Sequence, residues 1–143
     1  MAVERKLPQW LKVQMPGGAN YLALRDVLKA GSLNTVCEEA HCPNIGECWE
    51  SGTATFMILG DVCTRACAYC AVASGVPGAL DPLEPARVAD AVERMELAYA
   101  VITSVDRDDL PDGGASVFAS CIASIRKRVP ACKIEVLIPD FAG

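Results

Sequence analysis

The chain has 143 residues, 52% hydrophobic and 22% charged, with 13 Lys+Arg against 18 Asp+Glu and a net charge of -5. That length suits one modest domain, the apolar content excludes a disordered polymer, and no apolar stretch reaches the ~20 residues of a membrane span. The acidic balance, with a pI near 4.8, argues against a nucleic-acid partner held by phosphate neutralisation.

Residues 1–19 read as an extended arm broken at Pro16-Gly17-Gly18, without the apolar core of a signal peptide or the Arg- and Ser-rich character of a transit peptide. Asn20 is positioned to cap a short helix over 21–30, with Leu24, Val27 and Leu28 at helical spacing and Gly31 as its stop. Pro43 fits the first turn of a second short helix that carries Cys48 and ends near Gly52. Thr55-Phe-Met-Ile-Leu59, closed by Gly60-Asp61, reads as a buried strand leading directly into Cys63, Cys67 and Cys70.

After a Gly- and Pro-rich loop over 74–85, Val88, Ala91, Val92 and Met95 predict an amphipathic helix over 86–97, with Pro85 near its first turn. Residues 99–105 form a second apolar strand. Asp112-Gly113-Gly114 leads into a helix with Phe118, Ile122, Ile125 and Val129 on one face, and 133–138 form a third strand. The order β-α-β-α-β with apolar strands predicts a parallel sheet covered by helices. A sheet that stopped at three strands would leave a long apolar edge, so the fold expected is the first part of a larger α/β barrel.

The chain holds eight cysteines, six of them between residues 37 and 70. A disulfide framework suits small secreted domains with poor cores, whereas this chain has ample apolar residues and no leader. A reducing, cytoplasmic setting is therefore expected, where clustered cysteines serve metal or redox chemistry. Cys63-x3-Cys67-x2-Cys70 follows the first strand, at the edge where sites of parallel α/β folds lie. Three close thiolates suit a [4Fe–4S] cube with one iron left open, whereas zinc usually recruits four ligands. Cys37-x4-Cys42-x5-Cys48 is a second triplet, again one ligand short of a closed cluster. His41 lies inside it as a possible fourth ligand, though its place beside Cys42 makes joint ligation of one cube awkward. Cys121 and Cys132 fall outside both triplets, and Cys121 sits on an apolar helix face as a packed thiol.

The Cys63 spacing, with Tyr69 before the last cysteine, resembles the radical S-adenosylmethionine (SAM) enzymes. The combination is more specific. Val36-Cys-Glu-Glu-Ala-His-Cys-Pro-Asn-Ile-Gly-Glu-Cys-Trp49, Ala54-Thr-Phe-Met-Ile-Leu-Gly-Asp61 and Cys63-Thr-Arg-Ala-Cys-Ala-Tyr-Cys70 closely resemble the lipoyl synthase family. The likeness runs on through Ile102-Thr-Ser-Val-Asp-Arg-Asp-Asp-Leu-Pro-Asp-Gly-Gly114 and Ile134-Glu-Val-Leu-Ile-Pro-Asp-Phe141, and even Pro8-Gln-Trp-Leu11 looks like the family's start.

The resemblance implies an incomplete radical-SAM (β/α) barrel over 49–143, its first three parallel strands with helices, preceded by a cysteine-rich extension over 1–48. It implies a sulfurtransferase that inserts two sulfur atoms into an octanoyl chain on a lipoyl carrier domain. Two [4Fe–4S] clusters and SAM would be the cofactors, with an electron donor such as flavodoxin or ferredoxin. Cys63, Cys67 and Cys70 would hold the cluster whose open iron chelates SAM, which is cleaved to a radical that abstracts substrate hydrogen. Cys37, Cys42 and Cys48 would hold an auxiliary cluster that donates sulfur. Thr103, Ser104 and Asp106, at the end of the second strand, are implied contacts to the methionine portion of SAM, and Tyr69 lies toward its adenine.

Two alternatives stay open at this level. Asp106-Arg-Asp-Asp109 also reads as a solvated charged loop, and Arg65 either balances cluster charge or is simply solvated. The family's fourth auxiliary ligand, a serine in an Arg-Ser-Ser-Tyr motif, has no counterpart among these residues. The expectation is therefore that this chain alone is inactive and poorly soluble. Competing classes are a two-cluster electron carrier, another radical SAM protein and a zinc-stabilised interaction module.

Overall fold

A computed structural model of the chain describes residues 8, 11–12 and 15–141. Much of the predicted N-terminal arm, including Gln9 and Trp10, lies outside the described residues, as do Ala142 and Gly143.

Helix α1 (Ala19–Ala30) begins earlier than a cap at Asn20 requires, with Gly18 at its N-cap. Asn20 lies inside the first turn, and its Nδ2 donates to the Glu50 carbonyl at 3.1 Å. A tertiary contact has replaced the local cap. Leu24 and Leu28 are buried as the spacing predicts. Gly31 does end the helix, but with an ordinary φ of -83°. The left-handed residue is Ser32 (φ 48°), followed by Leu33 N–H donating to the Leu28 carbonyl at 3.0 Å. This is a Schellman turn closed on a non-glycine residue.

Strand β1 (Asn34–Thr35) and helix α2 (Val36–Glu39) are too short to be read from periodicity. Thr35 caps α2, its Oγ1 accepting from Glu38 N–H at 3.3 Å. Helix α3 (Ile45–Glu50) takes Asn44 as its N-cap, so Pro43 precedes the helix rather than occupying its first turn.

The remaining elements are β2 (Thr53–Ile58), β3 (Val62–Cys63), β4 (Ala73–Ser74), α4 (Glu84–Arg94), β5 (Tyr99–Ser104), α5 (Ala115–Arg128) and β6 (Lys133–Leu137). The main sheet runs β1-β2-β5-β6, and β3 pairs with β4 separately. Strands β2, β5 and β6 are parallel, as expected, and β1 adds an antiparallel edge. The chain is thus a mixed α/β fold with a parallel sheet and a cysteine-rich N-terminal part.

Coverage of the sheet departs from expectation. Ala100 and Ile102 of β5 are fully buried in one core with Phe56, Ile58, Val88, Val92, Cys121 and Ile125. The alternate residues Tyr99, Val101 and Thr103 are only half-buried. The last strand is exposed, with Val136 at 38%, Leu137 at 53% and Ile138 at 59%. This is the apolar edge expected of a sheet that stops at its third parallel strand, since β6 has β5 alone as a neighbour among the described residues.

Helix α5 starts from a tight Asp-Gly-Gly turn. Asp112 accepts N–H bonds from Gly114 at 3.0 Å and Ser116 at 2.9 Å. The Ser116 hydroxyl, together with those amides, holds its carboxyl down at about 2. Gly114 has φ 92°, and a Cβ there would lie 2.3 Å from Leu59 Cδ1.

Candidate functional site

The chain leaves β2 through Leu59 and Gly60, both with positive φ (71° and 98°), and enters the first cysteine triplet. Two buried charged side chains hold this turn. Glu84, at the start of α4, accepts Leu59 N–H at 2.9 Å, and burial raises its carboxyl pKa despite that bond. Arg107, 5% exposed, donates to the Leu59 carbonyl at 3.1 Å and the Gly78 carbonyl at 3.2 Å. Its Nε and Nη2 each reach Asp109 at 2.8 Å. The solvated-loop alternative therefore fails for Arg107 and Asp109, which form an internal brace.

Cys63 is buried, and its sulfur accepts N–H bonds from Asp106 at 3.3 Å and Arg65 at 3.5 Å. These two backbone donors fix where the Cys63 sulfur sits. Cys67 and Cys70 are exposed, on a turn closed by Cys70 N–H to the Cys67 carbonyl at 3.0 Å. β3 and β4 close the neck of this loop, with Gly75 N–H reaching the Cys63 carbonyl at 2.9 Å.

The segments that bear the second triplet are shaped by local helix chemistry. Cys42 N–H donates to the Cys37 carbonyl at 3.0 Å and His41 N–H to the Glu38 carbonyl at 3.0 Å, which is a second Schellman turn. His41 occupies its left-handed position (φ 48°) and is exposed. Cys48 comes from α3, and burial together with the neighbouring Cys37 and Cys42 raises its thiol pKa. Trp49, 1% exposed, anchors α3 by stacking on Tyr21 at 5.0 Å. All eight cysteines are free thiols. Among the described residues, no three His, Cys, Asp or Glu side chains form a group that could hold a metal ion.

The other predicted site residues lie at or near the carboxyl edge of the sheet. Thr103 Oγ1 donates to the Leu137 carbonyl at 2.9 Å. Ser104 Oγ is buried and has no hydrogen-bond partner among the described residues. The Asp106 carboxylate lies 3.8 Å from Cys63 Sγ and 3.7 Å from Arg65 Nη1. Tyr69 is 93% exposed. Cys121 is fully buried, as its helix face predicts, and desolvation pushes its thiol up to about 12.

Sequence comparison adds an independent observation. A family model described as the N-terminal domain of lipoyl synthase of the radical SAM family matches residues 2–42. The chain is 62% identical to a lipoyl synthase of Rubrobacter xylanophilus over 136 residues, covering 95% of this chain and 42% of that protein. The chain belongs to the lipoyl synthase family. Lipoyl synthases of Chloroflexus aurantiacus and Thermus thermophilus are each 57% identical to it, across 99% of this chain and 47% and 44% of those proteins. The chain therefore spans less than half the length of these curated relatives.

Placed on this lipoyl synthase family chain, the residues that sequence reasoning undervalued are Glu84, Arg107, Asp108 and Asp140. Glu84 fell just before the helix expected over 86–97, whereas the structure begins that helix at Glu84. Arg107 lay hidden in a run of charges, and its burial depends on a carbonyl 48 positions away.

Proposed function

We propose that the chain is the N-terminal part of a radical SAM sulfurtransferase that inserts two sulfur atoms into an octanoyl chain on a lipoyl carrier domain. The observation that carries this reading is the Cys63 loop at the carboxyl edge of β2, whose buried sulfur accepts two backbone N–H bonds. The donor chemistry of both triplets, soft thiolates without a fourth cysteine, fits [4Fe–4S] clusters. Bound, the two clusters and SAM would supply hydrogen abstraction from unactivated carbon and the sulfur itself, which no polar side chain can do.

The chain's own residues hold and orient these groups. Cys63, Cys67 and Cys70 bind the SAM-dependent cluster, and Cys37, Cys42 and Cys48 bind the auxiliary one. The Asp106 and Arg65 amides orient the Cys63 sulfur. Thr103, Ser104, Asp106 and Tyr69 form the SAM-facing edge. Of these, Ser104 holds an unspent buried hydroxyl, a group that gains from a polar ligand. Glu84 and Arg107 fix the turn that delivers Cys63.

In this reading residues 1–48 form the auxiliary-cluster extension and 49–143 the first strands of a (β/α) barrel. The relatives are more than twice as long, and on this reading the remaining strands and the serine ligand would lie in the portion this chain does not span. A reducing cytoplasm keeps the thiols free, and a flavodoxin or ferredoxin supplies electrons. No helix among the described residues is long and apolar enough to cross a membrane.

Anaerobic reconstitution of the chain with ferrous iron and sulfide tests the reading. Roughly eight irons per chain are expected, falling to roughly four when either triplet is replaced by alanine. Uptake that ignores both replacements would defeat it.

A further inference from the structure

Arg65 lies between Cys63 and Cys67, and its guanidinium makes two forked contacts. Nε and Nη2 donate to the two Asp108 oxygens at 2.8 and 2.7 Å. Nη1 and Nη2 donate to the two Asp140 oxygens at 3.0 and 2.9 Å. Asp106 stands 3.7 Å away. Asp106 and Asp108 follow β5 and Asp140 follows β6, whereas the cysteine loop follows β2. A single cation thus ties together three segments that leave parallel strands at one edge, and without it three carboxylates would face one another.

The neighbouring residue strengthens the tie. Thr64 N–H donates to the Asp106 carbonyl at 3.0 Å, and its single hydroxyl proton is shared between that carbonyl and an Asp108 carboxylate oxygen, each 3.0 Å from Oγ1, which also accepts Asp108 N–H at 3.2 Å. On the far side of the loop, Ser74 Oγ donates to the Arg65 carbonyl at 2.9 Å. Both ends of the segment bearing Cys67 and Cys70 therefore meet at Arg65. Only a planar fork with several fixed donors can engage two carboxylates in this way, and a lysine ammonium cannot.

We propose that Arg65, gripped by Asp108 and Asp140, is a positioning residue for the Cys63-x3-Cys67-x2-Cys70 loop. It pins the loop to the sheet edge so that these thiols take up iron and sulfide, and it has no part in loading the Cys37 triplet. This inference rests on the cluster role proposed above for the Cys63 triplet.

The test uses the full chain in two backgrounds, one with Cys37, Cys42 and Cys48 replaced by alanine and one with Cys63, Cys67 and Cys70 replaced. Each is reconstituted anaerobically with ferrous iron and sulfide, and iron content and visible absorbance are read. Far-UV circular dichroism and the urea midpoint verify folding. In the first background Arg65→Lys, which keeps the charge, lowers iron affinity by roughly tenfold or more, the scale of groups that orient metal ligands. Asp140→Asn, which leaves the Asp108 fork intact, lowers it less. In the second background Arg65→Lys changes nothing.

Unchanged loading in the first background with either variant overturns the proposal. Equal losses in both backgrounds also overturn it, because Arg65 would then serve general stability. If neither background takes up an iron–sulfide chromophore with Arg65 intact, the cluster reading itself has failed, a distinct result.

Discussion

Gly114→Ala is a sharp probe of how the sheet edge is held. Gly114 is buried at the start of α5 with φ 92°, and a Cβ there would meet Leu59 Cδ1 at 2.3 Å, with Cδ2 at 3.3 Å and Cγ at 3.4 Å. Leu59 is itself 3% exposed, and its backbone is bonded to Glu84 and Arg107. The left-handed conformation costs an alanine about 1 kcal/mol, and overpacking adds about 1–3 kcal/mol. A destabilisation of about 2–4 kcal/mol is expected from urea unfolding at constant m-value. In a Leu59→Ala background only the backbone part, about 1 kcal/mol, should remain. A Gly114→Ala chain within about 0.5 kcal/mol of the parent, or one that loses equally in both backgrounds, would refute the reasoning.

Three further outcomes are expected. Trp49→Ala removes a fully buried indole stacked on Tyr21 and should cost about 3–5 kcal/mol in urea unfolding, loosening α3 and with it Cys48. Asp112 has a folded pKa of about 2, below the ordinary 3.8, so its contribution is present above about pH 4 and is lost as the pH falls toward 2. Asp112→Asn should flatten that part of the profile of urea midpoint against pH. His41→Gly relieves a left-handed histidine and should gain about 0.5–1 kcal/mol in urea unfolding while leaving iron uptake unchanged. A loss of iron would restore His41 as a ligand.

Much of the fold was legible in the chain's periodicities. The apolar runs at 55–59 and 99–105 and the helical spacing of Val88, Ala91 and Val92 mark elements that the structure contains within a few residues. The helix stops were harder to read. Glycine marks a left-handed residue by default, yet Ser32, His41 and Glu96 take that conformation here, because the Schellman bonds and the packing beyond them outweigh a modest backbone cost. Asn20 had the right chemistry for a cap but spends its amide on Glu50, a partner 30 residues distant.

Both cysteine triplets stood out as motifs, whereas the residues that position them did not. Arg65 and Arg107 look alike in sequence, each a cation near aspartates. One is half-buried and forked onto two loops, and the other is buried against backbone carbonyls. Which role a charge takes depends on strand register, and local sequence does not encode it.

The most direct test of the central claim is the electron paramagnetic resonance of the chain after anaerobic reconstitution and reduction, recorded with and without SAM. An open iron on the Cys63 triplet predicts a changed spectrum on SAM addition. The change should vanish when Cys63, Cys67 and Cys70 are replaced and persist when Cys37, Cys42 and Cys48 are. Zinc content without visible absorbance, or a loaded cluster whose spectrum ignores SAM, would contradict the account.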